Sequence, residues 1–271
     1  MLWALNQVTT PGLGFDAFLD LAADLGCAGV ECRNDLDRPL FDGLAPARAG
    51  ALIRARGLRL MGLSQVYPFN EATAARLDAV RALAGIAGES GAETLSLVPR
   101  NDGTDLADPA RHKRLFATLE QVLPLLDAAE MVALVEPLGF ARSSLRLESE
   151  LAALIDALGA QTRIKVVHDV FHHALAGETM IYPLATGMVH VSGVIVPVLA
   201  FDAFEDRHRV HVDAADRLGA VTQLAALTSA GYAGPVSIEC FAPEVQFTPD
   251  PAPGLRQSMA FITARLAELG A

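Results

Sequence analysis

Short apolar segments rich in β-branched residues alternate with longer amphipathic segments along the whole chain, and this alternation constrains the fold more than any other feature. The pattern is typical of repeated βα units whose strands form a parallel sheet. Eight such units in 271 residues favour one α/β domain, a (β/α)8 TIM barrel over residues 1–271, rather than an open sheet. The predicted strands are 2–8, 28–33, 58–65, 94–99, 131–136, 164–169, 187–192 and 235–240. The predicted helices are 15–26, 44–56, 70–90, 107–129, 145–159, 178–186, 216–231 and 254–269.

Composition and missing motifs exclude several classes of protein. The chain has 21 Lys and Arg against 32 Asp and Glu, a net charge of −11, and no basic stripe, which argues against a nucleic-acid partner. Its three cysteines include no CxxC pair, which fits a reducing cytoplasm. We expect no membrane association, because no apolar run reaches eighteen residues and no basic, apolar leader is visible. The GxGxxG, GxxxxGK[ST], GxSxG and HExxH motifs are absent, which disfavours nucleotide-dependent chemistry and serine hydrolysis.

Carboxylates lie at or next to the ends of three of the later predicted strands, and a histidine lies near the end of another. These residues are Glu136, Asp169, Glu239 and His190. Active sites of TIM barrels lie at the carboxyl ends of the strands, and residues of equal parity share one face of a strand. If those faces look into the barrel mouth, three carboxylates and one imidazole meet at one point. An ion pair or a helix cap could explain each residue alone, but one shared divalent cation explains all four.

Three oxygen donors and one nitrogen donor suit several divalent ions. Mn²⁺, Mg²⁺, Co²⁺ and Zn²⁺ all accept such a set, and we expect Mn²⁺.

Four further residues are candidates for binding a small polyol or keto-sugar substrate. His172 lies three residues after Asp169, where it could cover a bound molecule, although a helix-capping or surface histidine is the alternative. Gln65 ends the third strand, and Arg142 and Arg209 follow the fifth and seventh. Each arginine could donate hydrogen bonds to substrate oxygens, or could instead form a surface ion pair. His168 and His173 are interpreted as packed or solvated side chains.

The spacing of these residues resembles a known family. Glu136, the box Asp169-Val-Phe-His172, His190 in "HVSG" and Glu239 in "GYAGPVSIECF" are similar to the xylose-isomerase-like TIM barrels of sugar isomerases and epimerases. The resemblance spans the chain. The stretches "VEPLGFARSSLR", "VHDVFHHALAGE", "VHVSGV" and "DRLGAVTQLAAL" are most similar to the inosose (2-keto-myo-inositol) isomerases.

The resemblance implies roles for individual residues. Glu136, Asp169, His190 and Glu239 would hold the metal, the two glutamates would also move protons on opposite sides of the substrate, and His172 would contact a substrate oxygen. A homo-oligomer is possible for this superfamily. The stretch "VHVSGVIVPVLAF" departs from the His-x-His and Gly-rich loop that the family often carries after strand seven.

The implied activity is conversion of 2-keto-myo-inositol to 1-keto-D-chiro-inositol through an enediolate, in inositol catabolism. Three alternatives stay open: a 3-epimerase of a free ketose, an inosose dehydratase and a non-catalytic polyol-binding barrel. The related DNA-repair nucleases need several histidines on the early strands. This chain has no histidine before His112, which argues against a nuclease.

Overall fold

A computed structural model describes residues 1–71 and 73–271, and its eight parallel strands close into a barrel in chain order. The last strand pairs with the first, so that Trp3 lies opposite Val236. The predicted TIM barrel is therefore confirmed. The strands are β1 (Leu2–Asn6), β2 (Gly29–Arg33), β3 (Arg59–Val66), β4 (Thr94–Leu97), β5 (Val132–Val135), β6 (Ile164–Asp169), β7 (Thr186–Val191) and β8 (Pro235–Ile238).

Helices follow the strands and form the outer layer of the barrel. Most lie within the predicted segments, and one short extra helix, α8, precedes the last. The helices are α1 (Phe15–Asp24), α2 (Pro46–Ala55), α3 (Ala74–Ser90), α4 (Ala110–Ala128), α5 (Glu148–Ala157), α6 (Val170–Ala176), α7 (Ala220–Ser229), α8 (Pro243–Gln246) and α9 (Ala252–Leu269).

The predicted helix over residues 178–186 is wrong. The sixth helix instead begins directly at the end of β6, because the Asp169 carboxylate accepts hydrogen bonds from the amides of Phe171 (2.7 Å) and His172 (3.2 Å). An aspartate in this position satisfies amide groups that have no partner inside the helix. The helix ends at Gly177, whose φ of 74° lies in the left-handed region that favours glycine.

Apolar side chains fill two separate layers, and this division positions the polar residues at the strand ends. A small cluster packs inside the barrel, and a much larger one packs between barrel and helices. Leu134, Val167 and Met188 belong to the inner cluster. Because alternate residues of a strand share a face, the residues two positions later, such as Asp169 and His190, also point inward. They lie at the mouth of the barrel, above its apolar floor.

A long connection after β7 folds back over the barrel mouth. It contains two short 3-10 turns, Phe201–Ala203 and Asp206–His208, and an antiparallel bridge joins Gly193 to Val210. The Arg209 carbonyl accepts hydrogen bonds from the amides of two residues that follow β8. This connection therefore carries Arg209 to the centre of the mouth. Within the described ranges, none of the helices is both long and apolar enough to cross a membrane.

Candidate metal centre

The structure brings the four predicted metal ligands together at the barrel mouth. Glu136 follows β5 directly, Asp169 ends β6, His190 lies in β7 and Glu239 follows β8. Each offers one donor atom, and these four atoms all lie within 4.8 Å of one another. All four residues are buried. The parity argument thus predicted the correct face of each strand.

The imidazole of His190 faces the three carboxylates through one ring nitrogen. Its Nδ1 lies 3.3 Å from a carboxylate oxygen of Glu136, 3.3 Å from one of Glu239 and 3.9 Å from one of Asp169. Its Nε2 lies 3.2 Å from Glu31. A ligating histidine commonly donates its other N–H to a carboxylate, which fixes the tautomer and the ring orientation. Nδ1 is therefore the nitrogen that can bind a cation here.

Three residues of this centre were missing from the predicted site. Glu31 is fully buried, the Asn6 amide donates to Glu31 (3.3 Å) and to Glu239 (3.1 Å), and Arg33 donates to Glu239 (3.0 Å). Asn6 ends β1, and β2 ends in Glu31-Cys32-Arg33, so each of the three follows an apolar residue at or near the end of a strand. Their position at strand ends was the available signal.

Arg209 lies between two of the predicted ligands. Its side chain is only 1% exposed, and one terminal nitrogen lies 2.5 Å from Asp169 and 2.9 Å from Glu239. The guanidinium also stacks over the rings of Phe171 and Phe241, with its carbon 5.1 and 4.7 Å from the ring centroids. Burial of a guanidinium is costly unless it is paired, and these two carboxylates supply that pairing.

Burial and neighbouring charges shift the pKa values of the ionisable groups of this centre in different directions. Burial alone would raise the pKa of Glu239, but the positive charges of His190, Arg209 and Arg33 hold that pKa well below its usual range. Burial and the charge of Glu239 raise the pKa of Glu136. Burial would lower the pKa of His190, yet Glu239 and Glu31 raise it well above the ordinary value.

The donor set fits a divalent cation. Four buried carboxylates, Glu31, Glu136, Asp169 and Glu239, surround only two buried guanidinium groups, Arg33 and Arg209. With the imidazole of His190 neutral, as a metal ligand must be, the formal excess is two negative charges, which is the charge that one divalent cation neutralises. Uncompensated buried carboxylates are costly, and a bound ion removes that cost. The three oxygen donors and one imidazole nitrogen also match the ligand preferences of Mn²⁺ and Zn²⁺.

A small cavity opens beside the four clustered donors. Its volume is about 210 Å³, and its lining includes Gln65, Glu136, His172, Arg209 and Glu239. This volume is below the range of about 300–1,000 Å³ for pockets that hold drug-sized molecules, so the cavity suits a small ligand.

His172 lines this cavity and has one ring nitrogen without a partner in the described part of the chain. Its side chain is 4% exposed, and its Nδ1 is buried with no hydrogen-bond partner among the residues that the structure describes. A buried polar atom without a partner is costly to the folded state. His172 lies in the first turn of α6.

Gln65 and Arg142 occupy different environments. Gln65 lines the cavity and donates a hydrogen bond to Asp35 (2.9 Å). Arg142 is not part of the lining, because its guanidinium forms two hydrogen bonds with Glu205 (3.0 and 2.8 Å) and lies 4.1 Å from the ring centroid of Phe140. Contact of Arg142 with a substrate stays a prediction.

Comparison with known proteins assigns the chain to a family. The sequence profile of the xylose isomerase-like TIM barrel matches residues 19–265. The chain belongs to the xylose isomerase-like TIM barrel family. The predicted resemblance is confirmed at this level. None of the curated proteins matches the sequence.

Several solved structures share the fold over nearly their whole length. A xylose isomerase domain-containing protein from Salmonella typhimurium LT2 superposes with a TM-score of 0.89 at 28% identity, over 98% of this chain and 97% of that one. The IolI protein, solved with a bound zinc atom, gives a TM-score of 0.85 at 15% identity over 99% of both chains. An L-ribulose 3-epimerase gives 0.73 at 18% identity, over 99% of this chain and 97% of that one.

Proposed function

We propose that this member of the xylose isomerase-like family is a metal-dependent isomerase of a cyclic keto-polyol, converting 2-keto-myo-inositol to 1-keto-D-chiro-inositol. The observation that carries the proposal is the cluster of Glu136, Asp169, His190 and Glu239 beside a small cavity. Similarity of the sequence stretches around these residues to inosose isomerases, and of the fold to the IolI protein, supports the choice of substrate.

Four residues would hold one divalent cation, for which we propose Mn²⁺. These are Glu136, Asp169, His190 and Glu239. When bound, the cation supplies Lewis acidity that lowers the cost of negative charge on the substrate oxygens. Within the family, one donor set of this kind can serve isomerisation or epimerisation, so the cation alone does not select the reaction.

The two glutamates of the cavity would transfer the protons. One carboxylate removes the proton from the carbon that bears the hydroxyl group, and the electron pair moves toward the neighbouring carbonyl oxygen. The hydroxyl proton passes to that oxygen, and a proton returns to the former carbonyl carbon from Glu136 or Glu239. Ketone and alcohol exchange places and no atom is lost, so the product is an isomer.

Other groups of the cavity would bind and orient the substrate. His172, Gln65 and Arg209 line the cavity, where their side chains would contact substrate oxygens. Arg33, Arg209 and Asn6 fix the carboxylate of Glu239 in one orientation through hydrogen bonds of 2.9–3.1 Å. Such preorganisation saves the entropy of aligning the base with the substrate.

The reaction can be followed by NMR in D₂O with Mn²⁺ and 2-keto-myo-inositol. We expect 1-keto-D-chiro-inositol with deuterium at the carbon that receives the proton. A product without deuterium at either carbon would argue against proton exchange with these glutamates. Loss of water from the substrate would instead indicate a dehydratase. Binding without exchange would indicate a polyol-binding barrel, and turnover of free ketoses alone would indicate a 3-epimerase.

A pair of matched variants tests the role of Glu239. Glu239→Gln keeps the shape of the side chain but removes the base, and we expect activity to fall at least 100-fold. The control is Glu93→Gln, because Glu93 forms an exposed ion pair with Arg59 at the amino end of β3, remote from the cavity. An active Glu239→Gln variant would remove Glu239 from the mechanism.

A further inference from the structure

A second buried cluster of ionisable side chains lies behind the metal centre, between the barrel and its helices. It consists of Glu148 from the start of α5, His168 from β6 and His173 from α6. One carboxylate oxygen of Glu148 lies 2.9 Å from Nδ1 of His168 and 3.1 Å from Nδ1 of His173. The exposed fractions of the three side chains are only 3%, 0% and 4%. We call these three residues the Glu148 clamp.

The clamp holds both ends of the segment that carries two residues of the proposed active site. His168 immediately precedes Asp169, and His173 immediately follows His172. The side chains of His168 and His173 point outward to Glu148, while Asp169 and His172 belong to the barrel mouth. A single carboxylate from a different element thus fixes the segment 168–173 at its first and last residues.

Neighbouring hydrogen bonds fix the orientation of each part of the clamp. The Gln223 amide nitrogen donates to the carbonyl groups of Val170 (3.1 Å) and Leu218 (2.9 Å), so its oxygen faces Nε2 of His168 at 3.0 Å. Both ring nitrogens of His168 therefore have partners. The start of α5 is fixed in turn by the Glu178 carboxylate, which accepts from the Glu148 amide (2.6 Å).

The cluster could in principle bind a metal, but its geometry favours a hydrogen-bonded clamp. Its three donors are one fewer than a structural zinc site uses. Across residues 1–71 and 73–271, no fourth histidine, cysteine or carboxylate joins the group. The two carboxylate oxygens of Glu148 also already lie within hydrogen-bond distance of the histidines.

We propose that Glu148 is a positioning residue, which sets the places of Asp169 and His172 by holding the two histidines that flank them. The relevance to catalysis rests on the proposed function, but the effect on geometry does not. Mutation of a residue that holds a metal ligand in place typically weakens metal affinity by about 10–100-fold. We expect the effect of Glu148 to lie at the lower end, because it acts through the backbone of the segment.

The test compares Glu148→Gln with Glu150→Gln. Glutamine at position 148 keeps the shape but has one acceptor oxygen in place of two. Glu150 is a matched control on the same helix, since it also pairs with a histidine, His112 (3.0 Å), and with Arg111, but does not touch the segment 168–173. Mn²⁺ affinity is measured by calorimetry without substrate, and kcat and KM are measured with 2-keto-myo-inositol.

We expect Glu148→Gln to weaken Mn²⁺ binding about 10-fold, to raise KM and to lower kcat, while Glu150→Gln matches the wild type. Crystal structures of both variants should show Asp169 and His172 displaced only in Glu148→Gln. The crystal structures require neither bound metal nor turnover. They therefore test the clamp independently of the proposed function.

Two results would overturn the proposal. One is a folded Glu148→Gln variant whose Mn²⁺ affinity and His172 position equal those of the wild type, which would leave Glu148 with a structural role only. The other is a wild type that binds two metal ions per chain and a variant that binds one, which would make the cluster a metal site. If Glu148→Gln does not fold, His173→Gln removes one hydrogen bond of the clamp and serves the same comparison.

Discussion

Replacing Gly139 by alanine is expected to displace helix α6, which carries His172 at the cavity. A Cβ atom at position 139 would lie 2.2 Å from the carbonyl oxygen of His172 and 2.9 Å from the amide nitrogen of Ala176. Both atoms belong to the backbone, so no side-chain rotation relieves the contact. Non-bonded heavy atoms prefer separations near 3.5 Å, so one of the two segments must move by about 1 Å.

The size of the effect follows from this displacement. Overpacking of a well-packed interior typically costs about 1–3 kcal/mol of folding free energy. A displacement of about 1 Å at a group that contacts the substrate can cost about 100-fold in rate. Since α6 carries His172 and begins at Asp169, we expect Gly139→Ala to lose both stability and kcat/KM.

Urea unfolding followed by tryptophan fluorescence measures the first quantity, because Trp3 is the only tryptophan and is buried in β1. The control is Gly85→Ala in α3, where an added Cβ meets no atom within 4 Å and alanine favours the helix by up to about 1 kcal/mol. A Gly139→Ala variant as stable and as active as Gly85→Ala would refute the reasoning, because it would mean that α6 moves without cost.

Three further predictions concern charge. Arg209→Met removes the guanidinium that Asp169 and Glu239 share, although Glu239 keeps Arg33. Without added metal it should lower the free energy of unfolding by about 3–5 kcal/mol, because buried negative charge loses its closest partner. Saturating Mn²⁺ should restore more stability to this variant than to the wild type in thermal melts. Because the pKa of His190 is raised well above its ordinary value, and a ligating imidazole must be neutral, Mn²⁺ binding at pH 7 should release about one proton per chain, measurable in weakly buffered solution. The pKa of His168 is raised, since its bonds to Glu148 outweigh burial, and the same bonds lower the pKa of Glu148 against burial. The stabilisation from this pair is therefore complete between about pH 4.5 and 6.5, and is lost as pH rises through the raised pKa of His168 or falls through the lowered pKa of Glu148. Urea unfolding of wild type and Glu148→Gln below, within and above this range checks it, and a difference that stays the same at both ends would contradict it.

The barrel and the proposed ligands were predictable because both depend on local periodicity. Eight alternating segments predict a closed sheet. Leu134, Val167 and Met188 point into the barrel, so the residues two positions after each of them point into the barrel mouth. No knowledge of loop conformation is needed for that argument, since the carboxyl ends of parallel strands meet at one end of the barrel.

The remaining parts of the site depend on conformations that periodicity does not encode. Arg142 and Arg209 both lie in loops, yet one pairs with Glu205 outside the cavity and the other reaches its centre. The difference arises from the fold of the connection after β7, which is held by tertiary hydrogen bonds to the residues after β8. Glu31 was overlooked for another reason, because its partner His190 is 159 residues away in sequence.

The spacing of Asp169 and His172 now has a structural reason. One oxygen of Asp169 caps α6, accepting from the amides of Phe171 and His172, and the other faces Arg209 and His190 at the metal centre. The helix therefore begins at a residue that is also a proposed metal ligand, and its partly positive amino end lies against the carboxylates of the mouth. His172 lies three residues after Asp169, within the first turn of α6. Its side chain therefore lies at the same end of the helix as the Asp169 carboxylate. The position of the proposed substrate contact is thus fixed relative to the proposed ligand by one turn of helix.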